Sequence, residues 1–243
     1  MIPKIVHYIW FGGKPFPPKI QKCIDSWHKY LPDYEFMLWN ESSFDVRSCQ
    51  FTEQAYQQKK WAFVSDYVRL WVLSKYGGWY LDTDIEILKP LSVFEDKRMV
   101  LGTDHNGELT ALMGGEVGHP FWQKVLVKYH SMKFVNDDGT LNMVVNNTYI
   151  QEILTAYGYE HENKYQELKE GVFVYPAEFF HVADLEKGKI LRTENSYAIH
   201  WHTLLWTSDM HHWMRFFRIH ILKPIFGEDR YLEVWDKMKK LFR

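Results

Sequence analysis

The beginning of the chain alternates short apolar runs with a stretch at helical spacing. Residues 4–13 read KIVHYIWFGG, and residues 34–40 read YEFMLWN. Both runs are apolar and bounded by turn residues, which is typical of β-strands. Between them, apolar residues recur at helical spacing after a pair of prolines, which favours an amphipathic helix. These residues are Ile20, Ile24, Trp27 and Leu31. The chain therefore begins β–α–β, the start of an α/β sheet that binds ligands at the carboxyl ends of its strands.

The rest of the chain continues to alternate helices and strands. A helix is predicted over roughly residues 52–75, ending at Tyr76-Gly77-Gly78, because glycine just past a helix end supplies the left-handed cap conformation. The strand WYLDTDIEIL follows at residues 79–88. The further predicted elements are a strand, a turn and a helix within 99–135, a helix at 142–158, and late strands at 171–180 and 196–206. The predicted fold class is α/β.

Composition narrows the class of protein. Of 243 residues, 46% are hydrophobic and 25% charged, which suits one α/β domain or one domain with a small appendage. A net charge of −2 argues against a nucleic-acid partner. Two cysteines form neither a disulfide framework nor a zinc-ligand set, which indicates a reducing compartment. The sequence shows no signal-peptide pattern and no uncharged run of about 18 residues. The expected location is cytoplasmic.

Two aspartates, Asp82 and Asp84, interrupt the predicted strand at 79–88. In a strand, residues i and i+2 point to the same side, so the two carboxylates are expected to project together. Adjacent carboxylates at the end of a buried strand repel one another unless a cation lies between them. Mg²⁺ and Mn²⁺ bind carboxylate oxygens and bridge to phosphates. The pair predicts a divalent-cation site completed by a nucleoside diphosphate. The alternative is two turn aspartates that cap a neighbouring segment.

A second charged pair, Asp66 and Arg69, lies three residues apart on the helix before these aspartates. Residues at this spacing share a helix face. Beside a metal, Asp66 could bind a ribose hydroxyl and Arg69 a sugar or phosphate oxygen. The alternative is an ordinary ion pair within the helix.

Several stretches of the chain resemble glycosyltransferase family thirty-two, the DXD-containing sugar transferases of capsular polysaccharide and O-antigen type. They are PKIVHYIWFGG, SWHKYLPDYEFMLWN, AFVSDYVRLWVLSKYGGWYLDTDIEILKPL and GHPFW. The resemblance covers roughly residues 1–130. It implies a GT-A fold, which is a Rossmann-like mixed central sheet with flanking helices, followed here by a C-terminal helical extension. The implied domains are a catalytic domain at 1–207 and a helical segment at 208–243.

The resemblance also implies roles for single residues. Asp82 and Asp84 would bind the metal, Mn²⁺ or Mg²⁺, and the donor diphosphate. Asp66 would contact the ribose or the donor sugar, and Arg69 the donor sugar or a phosphate. Tyr80 would line the nucleotide or sugar pocket. Trp10 is similar to the aromatic residue that stacks on the base, although a tryptophan at a strand end is also a common core residue.

The late segment YAIHWHTLLW is similar to the family's H-x-W…W stretch. His200 matches the first histidine and would provide a further metal or phosphate contact. His202 stands where the family usually has tryptophan, and the two imidazoles would share a face of a strand. Core histidines with satisfied hydrogen bonds are the alternative. Trp206 matches the closing tryptophan, which covers the donor site. Relatives often carry a Gly-Pro pair where this chain reads NMVVNNTYIQEIL, so the acceptor-side wall differs.

The implied function is retaining transfer of a hexose from a nucleotide sugar, with UDP the expected nucleotide, to a glycan or lipid-linked saccharide in polysaccharide biosynthesis. The metal and Arg69 would stabilise charge on the departing phosphate. Family analogy favours same-face attack by the acceptor hydroxyl. Asp104 is a candidate acceptor-side carboxylate or an ordinary loop aspartate. The alternative functions are a metal-dependent nucleotidyltransferase, a nucleotide-sugar phosphohydrolase, and a carbohydrate-binding module suggested by the 17% aromatic content.

The C-terminal segment mixes basic and aromatic residues. Residues 211–226 read HHWMRFFRIHILKPIF. This pattern suits a helix lying in an anionic membrane surface, which would place the enzyme peripherally on the inner face of the cell membrane beside a lipid-linked acceptor. The alternative is an amphipathic helix packed on the domain.

Overall fold

The computed structural model describes two units of the chain. It describes residues 1–184, 189–203, 221–227, 230–231, 234–235 and 237. The main unit comprises Met1–Val182 and Arg192–Trp201, and the second unit comprises Ala183–Leu191 and the residues from His202 on. The predicted boundary between residues 207 and 208 lies outside the described residues and stays a prediction.

The strands of the main unit form one large mixed sheet and one small one. Those described are β1 Ile5–Ile9, β2 Glu35–Trp39, β3 Gly78–Leu81, β4 Ile85–Ile87, β5 Met99–Thr103, β6 Leu109–Gly115, β7 Gln166–Leu168 and β8 Val172–Tyr175. In the second unit, β9 Ala183–Asp184 pairs with β10 Lys189–Ile190, and in the main unit β11 Ala198–His200 pairs with β4. Among the described residues the large sheet has seven strands, in the order β2-β1-β3-β6-β5-β8-β7.

The large sheet combines parallel and antiparallel strand pairs. The pairs β1–β2, β1–β3 and β5–β8 are parallel. The pairs β3–β6, β5–β6 and β7–β8 are antiparallel. This mixed central sheet with flanking helices confirms the predicted α/β fold class.

Helices flank the large sheet. Those described in the main unit are α1 Pro18–Tyr30, α2 Gln50–Gln57, α3 Trp61–Tyr76, α4 Pro120–His130, α5 Asn146–Ala156 and α6 Ala177–Phe180. The second unit contains α7 Lys223–Phe226. Among the residues described, no helix combines the length and the apolar character needed to cross a membrane. The residues on which the predicted C-terminal helical extension mostly depends lie outside those described.

Two apolar clusters form the core, one on each face of the large sheet. One contains Tyr80 together with residues of α2 to α5, and the other contains Trp79 and Leu81 together with residues of α1, β4 and α6. Neighbouring residues of β3 enter different clusters because successive strand residues point to opposite faces. Many of the aromatic residues that the structure describes lie in these clusters or pack against them.

The structure corrects three predicted elements. The helix expected over roughly 52–75 is two helices, α2 and α3, because the chain turns at Lys59, whose φ is 55°. The glycine-containing run at 111–115 was assigned to a turn and helix, yet it belongs to strand β6. The strand expected at 171–180 ends at Tyr175, before Pro176, and α6 follows.

Candidate functional site

The link between α3 and β3 places the charged residues of both elements close together. Gly78 has a φ of 91°, and a Cβ atom there would lie 2.6 Å from the carbonyl oxygen of Ile5. Only glycine therefore allows β3 to begin so close to β1. β3 then runs parallel to β1, with His7 opposite Tyr80, and delivers Asp82 to the carboxyl end of the strand.

Asp82 and Asp84 lie in a turn between β3 and β4, not in one continuous strand. The backbone N–H of Ile85 donates to the carbonyl oxygen of Asp82 at 2.9 Å, which closes the turn. The prediction that strand alternation aligns the two carboxylates is therefore wrong. The turn brings them together instead: ligand atoms of Asp82, Asp84 and His200 all lie within 4.8 Å of one another.

His200 reaches the aspartates through the small sheet. In the antiparallel β4–β11 pair His200 is opposite Ile85, the residue after Asp84. The Nε2 atom of His200 lies 3.2 Å from Oδ1 of Asp84, and the backbone N–H of Trp201 donates to the carbonyl oxygen of Asp84 at 3.1 Å. Asp84 and His200 are each at least nine-tenths buried when the whole residue is counted. Strand pairing thus fixes the imidazole against the carboxylate.

These three side chains fit a divalent cation. Two carboxylates and one imidazole supply oxygen and nitrogen ligands on one side of an ion. Asp82 is more exposed than its partners, with a side-chain exposure of 27% against 11% for both Asp84 and His200. The Asp82 side of this cluster is therefore the more accessible side for water or a phosphate.

Arg69 connects the helix pair to the aspartates. Its terminal nitrogen lies 3.1 Å from Oδ1 of Asp66 and 3.5 Å from Oδ1 of Asp82, and its guanidinium lies 4.7 Å from the centroid of the Tyr80 ring. Burial alone would lower the pKa of Arg69, but Tyr80, Asp82 and Asp66 outweigh it and the net shift is upward. The guanidinium stays charged, and the pair is more than a local contact within one helix.

Asp66 is buried beside this guanidinium. Burial raises the pKa of its carboxyl to about 6, although Arg69 and a hydrogen bond from the backbone N–H of Asn146 act in the opposite direction. That N–H lies 3.3 Å from Oδ2 of Asp66. The carboxylate is therefore ionised at neutral pH. Because Asp66 is buried, few water molecules would compete with a hydroxyl group that binds to it.

Tyr80 holds Asp82 in place. Its hydroxyl donates to Oδ1 of Asp82, and its ring is buried in the core. Burial raises the pKa of Tyr80 well above its usual value, so the hydroxyl keeps its proton. Tyr80 thus positions Asp82. Its role in lining a donor pocket stays a prediction.

Asn146 is a site residue that the sequence did not reveal. It begins α5, is 2% exposed, and its side-chain nitrogen has no hydrogen-bond partner among the described residues. It contacts Asp66 from 80 residues away along the chain, and no local motif marks it. The only available signal was the pair Asn146-Asn147 inside the helix predicted at 142–158.

The structure places the other predicted aromatic and histidine site residues differently from one another. Trp10 follows β1, where its indole N–H donates to the carbonyl oxygen of Lys14 at 2.6 Å and its ring packs on Phe16. Its base-stacking role stays a prediction. β11 ends at His200, so the prediction that His202 shares a strand face with it is wrong. Trp206 lies outside the described residues.

Asp104 caps its own turn. Its Oδ1 atom accepts hydrogen bonds from the backbone N–H groups of Asn106 at 2.8 Å and Glu108 at 2.9 Å. This geometry agrees with the alternative of an ordinary loop aspartate.

Comparison with known proteins shows what this part of the chain is similar to. Residues 17–104 match the family model described as glycosyltransferase sugar-binding region containing DXD motif. The matched segment contains both charged pairs. This segment is similar to that region, and within it Asp82-Thr83-Asp84 has the D-x-D pattern. Membership of family thirty-two and of the capsular or O-antigen type stays a prediction.

Two similar curated proteins come from yeasts. Inositol phosphoceramide mannosyltransferase 3 of Schizosaccharomyces pombe is 33% identical over 138 residues, which cover 51% of this chain and 36% of that protein. Mannosyl phosphorylinositol ceramide synthase CSH1 of Saccharomyces cerevisiae is 30% identical over 144 residues, which cover 52% and 35%. The chain spans about a third of the length of these relatives.

Similar solved structures include two glycosyltransferases. The PaToxG glycosyltransferase has a TM-score of 0.48 at 20% identity, covering 66% of this chain and 76% of that one. The galactosyltransferase LgtC, in complex with donor and acceptor sugar analogues, has a TM-score of 0.45 at 12% identity, covering 96% and 95%.

Proposed function

We propose that this protein is a retaining glycosyltransferase that moves a hexose from a nucleotide sugar to a glycan or lipid-linked saccharide with the help of a divalent cation. The observation that carries the proposal is the convergence of Asp82, Asp84 and His200 within 4.8 Å, with Arg69 beside Asp82. The sugar-binding match over residues 17–104 supports it. So do the names of the yeast relatives, which are mannosyl-transferring enzymes.

Each residue of the site has a distinct task in this reaction. Asp82, Asp84 and His200 would hold the cation, which supplies Lewis-acid stabilisation of the charge on the departing diphosphate. Arg69 provides a fixed positive charge for a donor phosphate or sugar oxygen, preorganised by its two carboxylate contacts. Asp66, ionised above about pH 6, accepts a hydrogen bond from a donor hydroxyl. The buried amide of Asn146 is suited to donate to a donor oxygen.

Retention follows best from attack on the same face that the diphosphate leaves. Arg69 and the Asn146 N–H each contact one carboxylate oxygen of Asp66, which makes Asp66 a weaker nucleophile but leaves it able to accept a further hydrogen bond. The acceptor hydroxyl is therefore the preferred nucleophile, with the departing phosphate taking its proton. This stereochemical assignment rests on family analogy.

The finer assignments extend the same proposal. UDP is the expected nucleotide, Mn²⁺ the expected ion, and capsular polysaccharide or lipopolysaccharide synthesis the expected context. The relatives are named for acceptors that contain inositol phosphoceramide, so phospholipid-linked acceptors belong among those to be tested. A cytoplasmic location with peripheral membrane contact through residues 208–243 completes the proposal.

A panel of nucleotide sugars tests the proposed reaction. Each donor is incubated with the protein, Mn²⁺ and a saccharide acceptor, and released nucleoside diphosphate is measured. We expect release with at least one hexose donor, its loss in EDTA, and a product with the donor's anomeric configuration by NMR. Asp84→Ala should abolish release, whereas Asp25→Ala on the exposed side of α1 serves as the folded control.

Other outcomes would favour the alternative functions. Release of nucleoside monophosphate and sugar phosphate would indicate a phosphohydrolase. Saccharide binding that ignores EDTA and nucleotides, without turnover of any donor, would indicate a binding module and contradict the proposal.

A further inference from the structure

A cavity of about 440 Å³ lies beside the aspartate pair and has no part in the reaction described so far. Its lining residues are Pro18, Lys19, Lys22, Cys23, Glu86 and Trp201. All of them belong to the main unit. The volume lies within the range of about 300–1,000 Å³ that small-molecule sites occupy.

A fixed aromatic ring forms one wall of this cavity. The indole N–H of Trp201 donates to a carboxylate oxygen of Glu86 at 2.8 Å, and its backbone N–H donates to the carbonyl oxygen of Asp84. The ammonium group of Lys19 lies 4.4 Å from the centroid of the Trp201 ring. An indole held at its nitrogen and its backbone offers a rigid apolar surface, the kind on which the carbon face of a sugar ring packs.

The polar groups of the cavity favour an anion. Lys19 and Lys22 are exposed in the first turns of α1, a 13-residue helix whose N-terminus adds a partial positive charge. Lysine binds phosphate as a compact positive charge. The one carboxylate of the lining, Glu86, is already engaged by the Trp201 indole. A ligand with a sugar ring and a phosphate matches the wall and the lysines together.

The cavity lies beside Asp84, whereas Arg69 and Tyr80, which we assign to the donor, contact Asp82. Trp201 instead follows His200 and binds the backbone of Asp84. A transferase must bring the donor and the acceptor to one reaction centre, and this division leaves the Asp84 side for the acceptor.

We propose that the Lys19–Lys22–Trp201 cavity binds the acceptor as a saccharide that carries a phosphate group. The inference rests on the proposed function, because an acceptor exists only if the protein is a transferase. It adds the chemical class of the acceptor and the residues that select it: the lysines bind the phosphate, and Trp201 packs on the sugar ring.

Calorimetric titration in EDTA tests the cavity without a contribution from a metal–phosphate bond. The probes are glucose 6-phosphate and inositol 1-phosphate, each compared with its parent glucose or inositol. The wild-type protein should bind the phosphorylated form more tightly. The double variant Lys19→Gln/Lys22→Gln should weaken that binding about tenfold, the size expected for lost charge-assisted hydrogen bonds at an open site.

Matched variants distinguish the contribution of the two lysines from that of the Trp201 ring. Lys29→Gln lies at the other end of the same helix, so it should bind sugar phosphates like the wild type. Trp201→Phe removes the hydrogen bond to Glu86 and shrinks the ring, and it should weaken the phosphorylated sugar and its parent by the same factor. Circular dichroism confirms that each variant is folded.

Three results would overturn the inference. They are absence of sugar-phosphate binding to the wild-type protein, unchanged binding in the double lysine variant, and loss of Mn²⁺–nucleoside diphosphate binding in that variant, which would assign the cavity to the donor. Failure of the proposed function is a separate result: the wild-type protein would then bind no nucleoside diphosphate with Mn²⁺.

Discussion

Arg69 is the residue on which the electrostatics of the site depend. It contacts the carboxylates of Asp66 and Asp82 and stacks on Tyr80, and Asp66, Arg69 and Tyr80 are all buried. Carboxylates in such an environment repel one another unless a cation lies among them. Arg69 therefore offsets the repulsion between the carboxylates of Asp66 and Asp82.

Replacement of Arg69 by lysine tests this role. Lysine keeps the charge but lacks the planar fork that reaches two carboxylates and stacks on an aromatic ring. We expect Arg69→Lys to lower kcat/KM for donor turnover by about 10²- to 10³-fold, the usual effect of losing one preorganised donor. Nucleoside diphosphate release measures it. Arg98→Lys, a change at an exposed arginine paired with Glu116, is the control. Equal rates in the two variants would contradict the assignment.

At the scale of elements, the start of β3 positions the site. Gly78 lies where a Cβ atom would meet the Ile5 carbonyl oxygen, whereas Gly13, also at positive φ, has open space around it. Gly78→Ala therefore combines backbone strain with a clash against β1, and Gly13→Ala carries the strain alone.

Comparison of these two glycine variants isolates the clash. We expect Gly78→Ala to reduce the free energy of unfolding by about 2 kcal/mol more than Gly13→Ala, because backbone must move to relieve the contact. Urea denaturation at pH 7.5 measures both values. Similar losses would show that the close approach of β3 to β1 is not needed.

His7 joins β1 to the same turn. The indole N–H of Trp39 donates to Nδ1 of His7 at 3.1 Å, so the Nε2–H donates to the carbonyl oxygen of Gly77 at 2.8 Å. Burial lowers the pKa of His7 from 6.5 to about 4, although the Gly77 carbonyl acts against it. The unfolded chain therefore binds more protons than the folded one between about pH 4 and 6.5.

The resulting pH dependence has a definite sign. The contribution of neutral His7 is complete above pH 6.5 and is lost as the pH falls toward 4, by about 3 kcal/mol in total. His7→Gln can keep both hydrogen bonds but does not titrate. We expect the stability advantage of the wild type over this variant to shrink by that amount between pH 7.5 and 4, measured by denaturant unfolding. A difference that stays constant with pH would contradict the buried neutral state.

The sequence predicted the elements whose periodicity is local. β1, α1 and β2 follow directly from apolar spacing, and α3 from its glycine stop. β6 was missed because glycines disfavour strands. Gly114 and Gly115 are needed there because a Cβ atom at either position would lie 2.7 Å from the ring of Trp79 or Trp122. That requirement arises from tertiary packing, so the residues next to Gly114 and Gly115 in the sequence do not reveal it.

At the scale of the whole molecule, the site residues that could be predicted from the sequence are those that lie close together in one segment of the chain. Asp66, Arg69, Asp82 and Asp84 lie within the matched residues 17–104. Asn146 was missed because it reaches Asp66 only through the placement of α5. His200 came from the family resemblance, and its contact with Asp84 depends on the pairing of β11 with β4.

The proposed membrane contact through residues 208–243 is tested by truncation of the whole chain. Removal of residues 211–243 should reduce binding to anionic liposomes, because the basic and aromatic residues of that segment would no longer insert into the surface. A sedimentation assay with phosphatidylglycerol vesicles measures the bound fraction. Unchanged partitioning would favour the alternative of a helix packed on the domain.

The central claim is that Asp82, Asp84 and His200 hold a divalent cation that binds a nucleoside diphosphate. Anomalous diffraction from a crystal containing Mn²⁺ and UDP tests it most directly. We expect a manganese peak in contact with both carboxylates and with the diphosphate. No peak there, with the two carboxylates turned away from the nucleotide, would contradict it.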